Sequence, residues 1–250
     1  MSLFSKIVGL VASSTTQVGN TDPVCPHCSE RLEKMPSRKK KCPSCKEDIY
    51  VRTRPGDKKR ILIRADQIEA VEEQRAIVNG THPQFLAAQK ERNALKRKLQ
   101  RSLGRVPTEH EVEWALLGEA AADHVRQKNW GLYRNARFDM SELLSKQGQH
   151  ERALALLLEV CYVDLNGPRN CGGDGEFDLS DAFPPFDLEM SDLAGGVIAR
   201  VSQAMQRTGL DLRGVESQFA KVATRLAQSI PLPLTPKKAW RKLKRELRAG

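Results

Sequence analysis

Cys25-Pro26-His27-Cys28 and, after thirteen intervening residues, Cys42-Pro43-Ser44-Cys45 decide how the N-terminal part of the chain folds. A C-x-x-C turn supplies two thiolates from one knuckle, and two knuckles at the tips of neighbouring hairpins complete the four soft ligands that zinc takes in a tetrahedron. Proline after the first cysteine of each pair fixes φ and starts the turn. Four cysteines close the coordination sphere, whereas a catalytic zinc keeps a position open for water, typically with three protein ligands. No glutamate stands near them in the H-x-E pattern of the zinc deaminases. Two pairs at this spacing also differ from the single C-x-x-C at a helix start that marks a thioredoxin-like redox site. The expectation is one structural Zn²⁺ on Cys25, Cys28, Cys42 and Cys45, with His27 an exposed spacer.

Residues 25–64 resemble the zinc-ribbon family, which is defined by this motif more than by a function. Many ribbons carry glycine directly after the second cysteine, where φ is often positive. Here Ser29 and Lys46 stand there, at about 1 kcal/mol each if the backbone is left-handed. Between the knuckles lies Arg38-Lys39-Lys40-Lys41. Two readings of this run stay open: a loop contacting phosphates, or cations offsetting the charge of about −2 on a zinc tetrathiolate. Residues 48–52 and 60–64 read as strands joined by a turn at Pro55-Gly56-Asp57, finishing the ribbon's sheet.

The 250-residue chain has a formal charge of +10, which suggests polyanionic partners without identifying one. Only 5% of its residues are aromatic, which argues against a base-stacking platform. No apolar run approaches the roughly 20 residues of a membrane span. The run Ile7–Ala12 after Lys6 is shorter than the about 7–15 residues of a signal-peptide core. It reads as part of a short N-terminal helix or flexible segment over residues 1–20, with Phe4, Ile7, Val8 and Val11 on one face. Without an export signal, paired cysteines point to metal rather than disulfides, and the expected location is cytoplasmic. Cys161 reads as a small core residue, and Cys171 as the more reactive thiol.

The rest is helical, so the fold class expected is mainly α: a small four-cysteine β ribbon over residues 21–64, then an all-helical domain of helical hairpins. Residues 65–106 form basic connecting helices. Asp66 is a good cap for the first, with Ile68, Val71 and Val78 facing inward. Pro83 starts another with Phe85, Leu95 and Leu99 inward and Lys96, Arg97, Lys98 and Arg101 outward; this charge run is either a solvated face or a phosphate contact. Thr108-Glu109-His110-Glu111 is a capping box, opening a helix with Trp114, Leu117, Ala121 and Val125 on its core face. A further helix runs to about Lys146, and a turn at Gly148 leads into Leu154, Leu157, Val160 and Val163.

Within residues 107–167 the sequence resembles a tetratricopeptide repeat. Gly148, Ala153, Leu154, Leu157 and Val160 match that family's turn and second helix in order and spacing, and Asp164 suits the repeat's end. Met140 and Leu144 fit the first helix, while Arg137 stands where the family prefers a large aromatic. Trp114-Ala115-Leu116-Leu117-Gly118 echoes the first-helix signature again. The resemblance covers one clear repeat, residues 134–168, and implies helices that bind peptides or partner proteins. A single repeat cannot bury its own face, so neighbouring helices must supply the packing. The chain as a whole resembles uncharacterised zinc-ribbon proteins of bacteria and phages, a likeness that carries no activity.

Residues 168–187 form a long acidic loop, a linker or a lid; its spacing does not fit a calcium-binding EF-hand. Residues 188–231 give a helical pair, with Leu193, Val197, Val201 and Met205 lining one face of the first helix, and Val215, Phe219, Val222, Leu226 and Ile230 lining the second helix. Residues 235–250 form a basic amphipathic helix: Trp240, Leu243 and Leu247 make an apolar stripe among Lys237, Lys238, Arg241, Lys242, Lys244, Arg245 and Arg248. It reads as a helix docked on the body, a nucleic-acid arm or a membrane-surface helix.

No P-loop, H-E-x-x-H, Ser/His/Asp order or paired-carboxylate helix occurs, so no enzyme and no small-molecule substrate is expected. The expected function is macromolecular binding by a non-enzymatic zinc-ribbon protein, with nucleic acid slightly favoured through the three basic clusters. The alternative is a protein-interaction adaptor using the repeat-like helices, the zinc purely structural.

Overall fold

The computed structural model describes residues 18–168, 186–230 and 232–249. The expected N-terminal helix, Cys171 and nearly all of the acidic loop lie outside the described residues. The architecture is mainly α with one small antiparallel sheet. The chain divides into two compact units, residues 1–93 and 94–250.

In the first unit, strands β1 (Lys40–Lys41), β2 (Asp48–Thr53) and β3 (Arg60–Ile63) pair in the order β1-β2-β3. Ile49 lies opposite Lys40, and Val51 opposite Leu62. Alternation along the strands separates two small cores, because successive side chains leave opposite faces of a sheet. Ile49 and Leu62 pack with Leu32, Cys25 and Cys42 on one face. Ile61 and Ile63 pack with Val71 of helix α1 (Ile68–Val78) on the other. Asp66 does not cap α1: a 3₁₀ turn over Ala65–Gln67 precedes it, with the Gln67 carboxamide accepting from the Arg64 amide and Asp66 paired with Arg64 at 2.9 Å. Val78, expected inward, is 49% exposed because α1 ends there.

Helix α2 (His82–Leu103) runs from the first unit into the second. The second unit continues with α3 (Glu109–Arg126), α4 (Trp130–Lys146), α5 (His150–Leu165), α6 (Gly195–Thr208), α7 (Leu212–Ser229) and α8 (Pro236–Ala249). The capping box is formed as read: the Thr108 hydroxyl accepts from the Glu111 amide, and Glu111 accepts from the Thr108 amide. Val125 is 39% exposed, and Val112, buried completely, takes its place in the core face of α3.

Two three-residue turns join α3, α4 and α5 with one backbone geometry. The Asn129 amide donates to the His124 carbonyl at 2.8 Å, and the Gln149 amide to the Leu144 carbonyl at 3.0 Å. Each turn places its middle residue in the left-handed region, Lys128 at φ 57° and Gly148 at φ 75°. Such a residue ends a helix by satisfying its last carbonyls.

α5 is the hub of the second unit. Apart from the half-buried Ala155, every residue from Ala153 to Leu165 is buried. A helix apolar all round belongs in the middle of a core. Leu154, Leu157, Leu158 and Cys161 share one cluster with Val201 of α6, Phe219 of α7 and Trp240 and Leu243 of α8. The two charges on α5 are matched from α4: Arg137 donates from Nε and a terminal nitrogen to Glu159, both at 2.7 Å, and Arg134 to Asp164 at 2.7 and 2.8 Å. Arg137, noted in the sequence as a departure from the repeat pattern, is held by this ion pair. Burial holds the Asp164 carboxyl above its usual range against the pull of Arg134.

The C-terminal helix docks through its apolar stripe. Buried Asn166 accepts from the Leu234 amide at 2.7 Å and donates to the Tyr162 carbonyl, while the Tyr162 hydroxyl donates to the Leu234 carbonyl at 2.7 Å. These bonds fix the entry to α8.

Candidate metal centre and basic surfaces

Each knuckle begins with a five-residue turn closed by two backbone bonds. The Ser29 amide donates to the Cys25 carbonyl at 3.0 Å and the Cys25 amide to the Glu30 carbonyl at 2.8 Å. Seventeen residues on, the Lys46 amide donates to Cys42 at 3.1 Å and the Cys42 amide to Glu47 at 2.9 Å. Ser29 and Lys46 have φ of 60° and 64°, so these side chains do occupy the strained left-handed position that glycine takes in many ribbons.

The two turns bring the four sulfur atoms within 4.8 Å of one another. Cys25 Sγ lies 3.8 Å from Cys45 Sγ, and Cys28 Sγ 3.8 Å from Cys42 Sγ. A tetrahedron with metal–sulfur bonds of about 2.3 Å has edges of about 3.8 Å, so the sulfurs are already spaced to hold a metal ion. Cys25 and Cys42 are buried against Ile49 and Leu62, while Cys28 is exposed.

The electrostatics of the bare thiols point the same way. Burial raises the Cys42 thiol, but amides of Cys45 and Ser44 and the neighbouring thiols bring it down to about 6. The Glu47 amide lowers Cys45, yet burial and the three sulfurs around it push it up to about 12. Four thiols this close ionise easily once and then resist further charge; a cation at their centre removes that resistance. The His27 amide donates to Cys25 Sγ at 3.5 Å, and its ring donates from Nε2 to the Asp48 carbonyl at 3.1 Å. His27 is exposed, as read, but it also ties the first knuckle to β2.

The basic residues singled out in the sequence differ in how far acids neutralise them. Lys39 and Lys41 both reach Asp48, at 2.8 and 3.8 Å, and Lys39 lies 4.6 Å from the centre of the Tyr50 ring. Arg38 and Lys40 enter no ion pair among the described residues. On α2, Lys96 pairs with Glu109 at 3.0 Å and Lys98 with Glu119 at 3.3 Å, while Arg97 and Arg101 line a shallow hollow with Gly104. On α8, Lys244 meets Glu216 at 3.5 Å and Arg245 meets Glu246 at 3.3 Å. Lys237, Lys238, Arg241 and Lys242 enter no ion pair among the described residues. The three clusters therefore rank by residual charge, with α8 first.

No protein-family model, curated protein or solved structure matches the chain. Among the described residues, no helix is long and apolar enough to cross a membrane.

Proposed function

We propose that this is a non-enzymatic zinc-ribbon protein that binds a macromolecular partner, with nucleic acid favoured, and that α8 is the principal contact. One observation carries the reading. α8 buries Ala239, Trp240 and Leu243 in the core, so its cations are held on a fixed surface. Lys237, Arg241 and Arg245 follow at intervals of four and are all exposed; residues at that spacing share one helix face. Glu246 is the one acid in the helix. Cations in a helix's first turn oppose its dipole, so Lys237 and Lys238 work against the helix that carries them. Their placement makes sense as a phosphate contact. The metal at the four cysteines is zinc on this reading, since a closed set of thiolates at tetrahedral spacing suits it.

Binding of this kind tolerates sequence and falls steeply with salt, with a slope of about −0.7 to −0.9 per phosphate neutralised. The test is a titration of labelled single- and double-stranded DNA and RNA across a salt series. Replacing Lys237, Lys238, Arg241 and Arg245 by alanine together should lower both affinity and slope. An absence of binding at low salt would sink the nucleic-acid reading and leave the adaptor. That second reading is favoured by the two matched helix–turn–helix joints of α3–α5, which give this region a tetratricopeptide-like repetition.

A further inference from the structure

A groove of about 490 Å³ opens among α3, α4, α5 and α7. Its size falls in the range of about 300–1,000 Å³ that small-molecule sites occupy. Leu156, Val222 and Leu226 contribute aliphatic walls, and Trp114 and Tyr133 contribute rings. Three guanidinium groups share this lining, from Arg137, Arg152 and Arg225, against one carboxylate, Glu159.

That carboxylate is already committed. Glu159 accepts two 2.7 Å bonds from Arg137 and a third from the Tyr133 hydroxyl, so its charge is matched within the floor of the groove. Arg152 lies over the Trp114 ring, 5.4 Å from its centre, and bonds the neutral side chain of Gln149. The Arg225 side chain enters no ion pair among the described residues. Two positive charges therefore remain uncompensated beside an apolar hollow. Exposed guanidinium groups beside an apolar wall suit a ligand that carries both a negative charge and an apolar body.

We infer that the groove binds a small amphipathic anion, a carboxylate carried on a compact apolar or aromatic body. The carboxylate sits between Arg152 and Arg225, and the body fills the space against Leu156, Val222 and Leu226. The Arg137–Glu159 pair serves as a fixed polar floor. Inorganic phosphate would satisfy the charges and leave the walls wet; a neutral hydrocarbon would do the reverse. The site is independent of the basic face of α8.

The probes are 2-naphthoate, its neutral counterpart 2-naphthylmethanol, and inorganic phosphate, each titrated by calorimetry into the full-length, metal-loaded protein. Location comes from the indole N–H resonances: Trp130 and Trp240 are 6% and 5% exposed, Trp114 is only half-buried, and Trp114→Phe assigns its signal. Naphthoate is expected to bind saturably, to shift the Trp114 resonance alone, and to bind about tenfold tighter than the alcohol. Arg152→Ala and Arg225→Ala, both at exposed residues, should each weaken naphthoate about tenfold and leave the alcohol and the melting temperature unchanged. Three results would overturn the assignment: no saturable binding of naphthoate, equal affinity for acid and alcohol, or unchanged affinity in both arginine variants.

Discussion

Arg54 grips Asp57 through two N–H···O bonds, 2.9 Å from Nε and 2.6 Å from a terminal nitrogen, in a turn that repeats the backbone of the two cysteine knuckles. The Lys58 amide donates to the Arg54 carbonyl at 3.0 Å, the Arg54 amide donates to the Lys59 carbonyl at 2.8 Å, and Lys58 has φ 57°. Pro55 follows Arg54 as Pro26 follows Cys25 and Pro43 follows Cys42. An ion pair three residues apart thus occupies the two places that hold sulfur ligands in the other turns. Arg54 is 6% exposed and Asp57 lies well below the usual carboxylate range, chiefly through its bonds from Arg54. Arg54→Ala should destabilise the first unit by leaving the Asp57 carboxylate short of its donor. Chemical denaturation of the metal-loaded protein should show that loss with the bound zinc unchanged, because neither residue of this turn is a metal ligand.

The cysteine turns should behave in the opposite way. Purified protein is expected to hold about one zinc per chain, and Cys42→Ser or a strong chelator should unfold the small sheet, since metal binding supplies folding free energy there. Elemental analysis together with loss of dispersed amide signals from residues 40–63 is the check. A metal-free preparation with that region intact would refute it.

Lys128 and Gly148 make a matched pair of substitutions. Lys128→Gly should stabilise the second unit by about 0.5–1 kcal/mol by relieving a side chain at positive φ. Gly148→Ala, in the equivalent turn, should cost about 1 kcal/mol. Thermal melts of the two variants should move in opposite directions.

Leu154 and Leu157 are 0% and 2% exposed at the centre of the α5 core. Either one changed to alanine should cost about 2–5 kcal/mol. A denaturation midpoint that stays put in both variants would mean that α5 is not the hub.

Glu111 contributes to the acid limb of the stability profile. Bonds from Arg105 and from the Thr108 amide hold its carboxyl down to about 2, against an ordinary 4.5. The native group is harder to protonate than the unfolded one, so its contribution is complete above about pH 4.5 and drains away as the pH falls toward 2. Wild type and Glu111→Gln should differ in melting temperature at pH 6, with the gap closing over that window.

How much of this was legible depended on the distance over which each interaction acts. The sulfur cluster was readable because two ligands fall within one turn, and Leu154, Leu157 and Val160 because helical spacing repeats within a few residues. Arg137 looked like a departure from pattern, since its partner Glu159 is 22 residues away on another helix and nothing local announces the pair. The turn at Pro55-Gly56-Asp57 was legible as a turn, but not its kinship with the two knuckles, because arginine and aspartate have no signature of their own there. The shared proline after the first residue of all three turns was the available signal. Val78 and Val125 were placed inward by periodicity, which carries no information about where a neighbouring helix stops covering the face.

The encirclement of α5 has a consequence for synthesis. The segment 150–165 leaves the ribosome well before the helices that cover it, and α8 closes the core only after roughly eighty more residues, on the order of ten seconds at usual translation speeds. For that interval the most apolar stretch of the chain has only α4 and what precedes it for shelter. Nascent chains stalled between residues 170 and 235 should therefore be the ones that holdase chaperones retain, and release should coincide with the emergence of Trp240.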